Sequence, residues 1–134
     1  MRIGSHHAKV ERHDIYKTPR KIYDFKSSPR KGKPEAVAKR FLKTIAKTLK
    51  IDADLRDLKF DKVVKTPLGS HVYFQQYFQG KPISGAWLKV DLDHENRIYN
   101  VVNSCVPVNF LKKPKASAKN KAKSRIGAAG GTAN

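Results

Sequence analysis

"SHVYFQQYFQGKPISGAWLKVDLD", residues 70–93, decides the fold. HVYFQQYFQ, residues 71–79, is aromatic and alternating, and Gly80-Lys81-Pro82 breaks it. ISGAWLKVDLD, residues 83–93, then resumes the alternation. Ala86, Leu88, Val90 and Leu92 fall on one face of that second strand, and Trp87, Lys89 and Asp91 fall on the other. A hairpin is therefore predicted, with one side for a core.

The neighbouring segments extend it. LKFDKVVK, residues 58–65, runs into the turn signal Pro67-Leu68-Gly69. His94-Glu95-Asn96 turns the chain again, and RIYNVVNSCVPV, residues 97–108, forms the last strand, with Pro107 at its exit. Upstream, PEAVAKRFLKTIAKTLK, residues 34–50, places Val37, Ala38, Phe41, Leu42, Ile45 and Leu49 at three- and four-residue steps, the spacing of one helix face. Pro34 suits a first helical position, and Glu35 complements the positive end of the helix dipole. Short connections between the strands imply antiparallel neighbours. The predicted architecture is α+β: one amphipathic helix on a four-stranded antiparallel sheet, with basic flexible tails.

Charge divides the 134-residue chain in the same way. Residues 1–33 carry ten Lys/Arg against three Asp/Glu, residues 34–111 twelve against eight, and residues 112–134 seven against none. Most of the net +18 thus lies outside the segment that reads as folded. Three parts are expected: a basic N-terminal arm over 1–33, laid on the domain through Ile22-Tyr23-Asp24-Phe25 and otherwise mobile; an α+β domain over 34–111; and a low-complexity basic tail or linker over 112–134.

Candidate chemistry is sparse. His94-Glu95 does not continue into a zinc-binding HExxH, because position 98 is isoleucine. His6, His7 and His13 lie in the basic arm without a carboxylate or thiol to complete a rigid metal set. Ser70, His71 and Asp61 match a catalytic triad in composition only, and no nucleophile elbow is present. Gly127, Gly130 and Gly131 follow no strand, so no phosphate loop is expected. Cys105 is alone, which rules out an intramolecular disulfide. No run is long and apolar enough for a membrane span, and MRIGSHHAKVERHD has no apolar signal-peptide region. No catalytic set, metal or cofactor is expected.

Gln75-Gln76, Tyr77, Gly80, Pro82, Ile83 and Gly85, followed by Val90, Asp91, Asp93, Asn96, Ile98, Val101 and Asn103, resemble the FTP domain, the fungalysin/thermolysin propeptide module of secreted zinc metallopeptidase precursors. Isoleucine stands at 83 where that family usually has valine. The resemblance covers roughly residues 35–108 and is strongest over 70–103. It implies a cystatin/PepSY-like fold and a non-catalytic role as inhibitor or folding chaperone of a thermolysin- or fungalysin-type metallopeptidase, joined in cis or met in trans. It also implies a secreted or cell-envelope location. Such propeptides usually continue into a second related module, which residues 112–134 do not provide. The expected contact region is the turn from Gly80 to Gly85 with Gln75, Gln76, Tyr77 and Trp87 beside it.

Two alternatives stand beside this one. The first is a basic nucleic-acid or polyanion-binding module, drawing non-specific contact from the tails. Its weakness is that the aromatic strand carries no interleaved Lys or Arg. The second is a cystatin-like protease inhibitor, suggested by Gln76-Tyr77-Phe78-Gln79-Gly80 against a Q-x-V-x-G loop, with phenylalanine in place of valine.

Overall fold

A row of β-branched side chains crosses the whole sheet in the computed structural model, which describes residues 1–111. Val63, Val72, Val90, Val101, Ile22 and Val10 stand opposite one another from strand to strand. The strands that carry them follow a small hairpin of β1 (Arg2–Ile3) and β2 (His6–His7). They are β3 (Lys9–Arg12), β4 (Pro19–Tyr23), β5 (Leu58–Thr66), β6 (Gly69–Phe78), β7 (Lys81–Leu92) and β8 (Ile98–Asn103). Helix α1 (Pro34–Leu49) lies between β4 and β5, and a short turn of helix, α2 (Val108–Leu111), follows β8. The sheet order is β3-β4-β8-β7-β6-β5, antiparallel throughout.

The α+β class and the single main helix agree with the sequence. The strand count does not: the sheet has six strands rather than four. The two additional strands come from the segment expected to be a flexible arm. Each is short and lysine- or arginine-rich, and each sends one β-branched residue into the row, Val10 from β3 and Ile22 from β4. Ile22 is 1% exposed, and Phe25 just beyond β4 is also buried. Burial of such a side chain contributes about 1.5–3 kcal/mol, enough to fix a short strand against β8. The segment expected as a basic tail, 112–134, lies outside the described residues.

Helix α1 starts at Pro34, where the missing N–H has no partner to lose. Glu35 pairs with Lys39 one turn on, at 3.1 Å. The helix ends at Lys50, which takes the left-handed conformation, while the Ile51 N–H reaches back to the Ala46 carbonyl at 3.1 Å. Val37, Ala38, Leu42, Ile45, Ala46 and Leu49 are buried. They share one core cluster with Val72, Phe74, Leu88, Val90 and Leu92 from the sheet. Phe41, expected inside, is only partly buried; it sits at the rim and stacks on Phe25 at 6.1 Å.

The helix covers one face only. The opposite face presents a second row, Lys62, Tyr73, Lys89, Val102 and Lys21, in register across β5, β6, β7, β8 and β4. Antiparallel pairing places lysines from neighbouring strands beside the aromatics of β6, which a single-strand reading does not reveal.

Candidate functional site

The hairpin of β6 and β7 closes through Gln79 and Gly80, both at positive φ, +52° and +79°. Phe78 and Lys81 pair directly across this two-residue loop, as a right-twisted hairpin requires. Beyond the loop the register breaks. Tyr77 pairs with Pro82 and Gln75 with Trp87, so residues 83–86 of β7 stand opposite Gln76 alone. Gly85 lies in this bulge at φ +76°, which suits a residue without Cβ.

The two glutamines divide the work of holding the bulge. Gln75 turns its amide into it: Nε2 donates to the carbonyls of Gln76, Ile83 and Ala86 at 2.9, 2.8 and 3.0 Å. Backbone carbonyls left over by the bulge are satisfied this way. Gln76 turns the other way and is fully buried. Its Nε2 donates to Asp57 Oδ2 at 3.1 Å and to the Val106 carbonyl at 2.9 Å, and its Oε1 accepts the Val106 N–H at 2.7 Å. Gln76 thereby ties the segment after β8 to the turn before β5.

Loss of the Gln76 amide leaves both backbone groups of Val106 and one oxygen of Asp57 without their partner. Gln76→Met, similar in volume, is expected to lower stability by about 1–3 kcal/mol in urea unfolding. A variant as stable as wild type would mean that solvent satisfies these groups.

Asp57 has a strained electrostatic position. Burial pushes its carboxyl above the ordinary 3.8, against the Gln76 hydrogen bond. Its Oδ1 is buried with no hydrogen-bond partner. The folded state therefore holds the proton more tightly than the unfolded chain does. The stabilising effect of that proton is complete below 3.8 and is lost as pH rises through the raised folded value. Asp57→Asn is expected to gain stability relative to wild type as pH rises from about 4 to 7, read from urea midpoints across that window. A constant difference would show that the carboxyl titrates alike in both states. Cys105 lies in the same region, and burial, with the Asp57 charge adding to it, pushes its thiol well above the usual range.

The expected contact residues fall into two groups. Tyr77 and Gly80 line a cavity of about 370 Å³ together with Asp57, Lys59, Phe78 and Leu111. Trp87 is not in that cavity. It is 38% exposed on the open face and tilts against Tyr73, with ring centroids 6.4 Å apart. Lysines cap the tyrosines: Lys59 Nζ lies 4.4 Å from the centre of the Tyr77 ring and Lys62 Nζ 5.2 Å from that of Tyr73. Pro82 and Gly85 are exposed, and Ile83 is half-buried.

A polar chain missed by the sequence closes the β5–β6 turn. His71 Nδ1 donates to Asp91 Oδ1 at 2.6 Å, and Thr66 Oγ1 donates to His71 Nε2 at 2.7 Å in the tautomer this arrangement selects. Thr66 Oγ1 in turn accepts the Leu68 N–H at 3.2 Å, and Asn100 Nδ2 donates to Asp91 Oδ2 at 2.8 Å. Ser70 and Asp61, considered from sequence as triad members with His71, take no part in these bonds. The chain fastens a turn to two strands. Among the described residues, no group of three or more His, Cys, Asp or Glu is placed to hold a metal ion. No helix among them is long and apolar enough to cross a membrane.

A bulged hairpin locked by one glutamine, and anchored to the core by the next, is a structural module with an aromatic outer face. Residues 56–105 match the Fungalysin/Thermolysin Propeptide Motif, FTP. The match runs from the turn before β5 to just past β8, so that β5–β8 lie inside it and α1, β3 and β4 lie outside. FTP is a propeptide motif of thermolysin- and fungalysin-type peptidases, not a catalytic domain. No curated protein matches the chain.

Proposed function

We propose that the chain acts as a non-catalytic propeptide-type domain that inhibits a thermolysin- or fungalysin-type zinc metallopeptidase, assists its folding, or does both. The FTP match over 56–105 carries this reading. Secretion of the precursor goes with it, since peptidases of these types act outside the cell. The contact region in this proposal is the Gly80–Gly85 bulge with Tyr77 on one side and Trp87 on the other. Half-exposed aromatics at a rigid turn are the usual anchors of an interface. The bulge is rigid because Gln75 fills it with three hydrogen bonds.

The test is refolding of the denatured peptidase of the same organism with this domain added in trans. The wild-type domain is expected to raise the yield of active enzyme, and Trp87→Ala to lose most of that gain while melting at the same temperature. An equal gain from both would remove Trp87 from the contact; no gain from either would remove the chaperone role.

Polyanion contact is a second reading, favoured by one observation. Lys62, Lys89 and Lys21 share a row with Tyr73 on the open face. Such binding would be non-specific and would weaken steeply with salt. Titration of labelled single-stranded DNA at rising salt, with wild type and Lys62→Gln, separates this face from the terminal lysines.

A further inference from the structure

A second cavity lies away from the hairpin. It has a volume of about 640 Å³ and opens between the β1–β2 hairpin, the segment 26–30 and the outer edge of α1. That volume is within the range of sites for small organic ligands. Most of its walls are built from residues outside the matched motif, so what it does is independent of the propeptide reading.

Its lining has two chemically distinct parts. The floor is apolar: Val37 and Phe41, one helical turn apart on α1, meet Ile98 from β8 and Ile3 from β1. Ile98 and Val37 are buried, whereas Phe41 and Ile3 are partly open to the cavity. The rim carries the cations Arg30, Arg40, Lys26 and Arg97, with the His6 ring beside them. No carboxylate lines the cavity.

The rim cations differ in what they already hold. Arg97 donates to Asp93 at 2.8 Å and reaches Glu95 at 3.3 Å, and Lys26 lies 4.0 Å from the same Asp93. Arg97 is thus paired within the fold, and Lys26 stands at the edge of ion-pair range of a carboxylate that Arg97 already holds. Among the described residues, no carboxylate lies within ion-pair distance of Arg30, Arg40 or His6. Arg40 lines the cavity together with Phe41 and Thr44. The cavity thus offers an apolar wall and two guanidinium groups that no carboxylate among the described residues pairs. Guanidinium forks match carboxylate and phosphate oxygens.

We infer that this cavity binds a small amphiphilic anion, an alkyl or acyl chain ending in a carboxylate or phosphate. The chain lies along Phe41, Val37, Ile98 and Ile3, and the head group sits between Arg30 and Arg40.

The probes are decanoate, decyl phosphate, decanol and inorganic phosphate, each titrated into the full chain and followed by amide shifts in two-dimensional NMR. Decanoate or decyl phosphate is expected to shift the amides of Ile3, Ser28, Phe41 and Thr44 and to saturate at one equivalent. The tighter of the two identifies the head group. The double variant Arg30→Gln, Arg40→Gln is expected to weaken binding by about ten-fold or more, since a charged hydrogen bond is removed from each side of the head group. Both arginines are exposed, so the fold is expected to survive the change, and an unaltered melting temperature checks this. Decanol binding as tightly as decanoate would overturn the anion half of the proposal. Inorganic phosphate binding as tightly would overturn the apolar half. Shifts confined to the open sheet face, or none at all, would overturn the site itself.

Discussion

Gly69→Ala is expected to destabilise the fold by about 3–5 kcal/mol, more than a methyl group added at any other glycine among the described residues. Gly69 has φ +134°, a backbone conformation that L side chains rarely adopt. A Cβ there would lie 2.0 Å from the Leu92 carbonyl oxygen and 2.8 Å from the Asp93 Cα. Both are backbone atoms at the end of β7, so no rotamer change relieves the overlap; the β5–β6 turn must lift away from the sheet. Gly80→Ala is the control, because nothing lies within 4 Å of a Cβ built there. Only the left-handed backbone then opposes alanine, at a cost of about 1–2 kcal/mol. Urea unfolding of the two variants measures the difference. If Gly69→Ala were no worse than Gly80→Ala, the turn would not pack on Leu92.

Leu88→Ala is expected to cost about 2–5 kcal/mol, the range for removing a large aliphatic side chain from a packed interior. Leu88 is fully buried, pairs with Phe74 on one side and Asn103 on the other, and belongs to the cluster that contains Ile45 and Leu49 of α1. The neighbours that would have to close the cavity are a helix and two central strands, so little relaxation is available. A loss below about 1 kcal/mol would mean that β7 turns its other face to the helix.

The face of β7 that meets the helix was legible from Ala86, Leu88, Val90 and Leu92 because alternation is a local property of a strand. Helix α1 was legible for the same reason, at its own period. Strands β3 and β4 were not. Each contributes one row residue, Val10 or Ile22, and the partner that makes Ile22 a core residue is Val101, far along the chain. The sequence laid Ile22-Tyr23-Asp24-Phe25 on the domain, but nothing in Pro19–Tyr23 announces that the segment pairs there as a strand beside Val101. The glutamine pair shows a different limit. The sequence marked Gln75 and Gln76 together, beside the turn from Gly80 to Gly85. Which glutamine faces the bulge depends on residues 83–86 standing opposite one residue, a register that no composition reveals. The same holds for Lys59 and Lys62. The aromatic strand lacks interleaved basic residues in sequence, yet β5 brings them to 4.4 and 5.2 Å from its tyrosine rings. His71, Asp91 and Thr66 are likewise joined only by pairing of β5, β6 and β7.

Of the candidate contact residues, Gln75 and Gln76 are internal supports. Tyr77, Gly80, Pro82 and Trp87 remain available to a partner. This division gives the propeptide proposal a sharp form: the glutamines set the shape of the hairpin, and the aromatics supply its contact area. Gln76→Met should then weaken partner binding only as far as it unfolds the domain, whereas Trp87→Ala should weaken binding without unfolding it.

The most direct measurement is the steady-state rate of the mature metallopeptidase from the same organism, on a small peptide substrate, with increasing amounts of this domain. The propeptide account predicts a saturable fall in rate that reverses as the enzyme digests the domain, with Trp87→Ala shifted to higher concentration. A rate unchanged by a folded domain in excess, together with no gain in refolding yield, would contradict it.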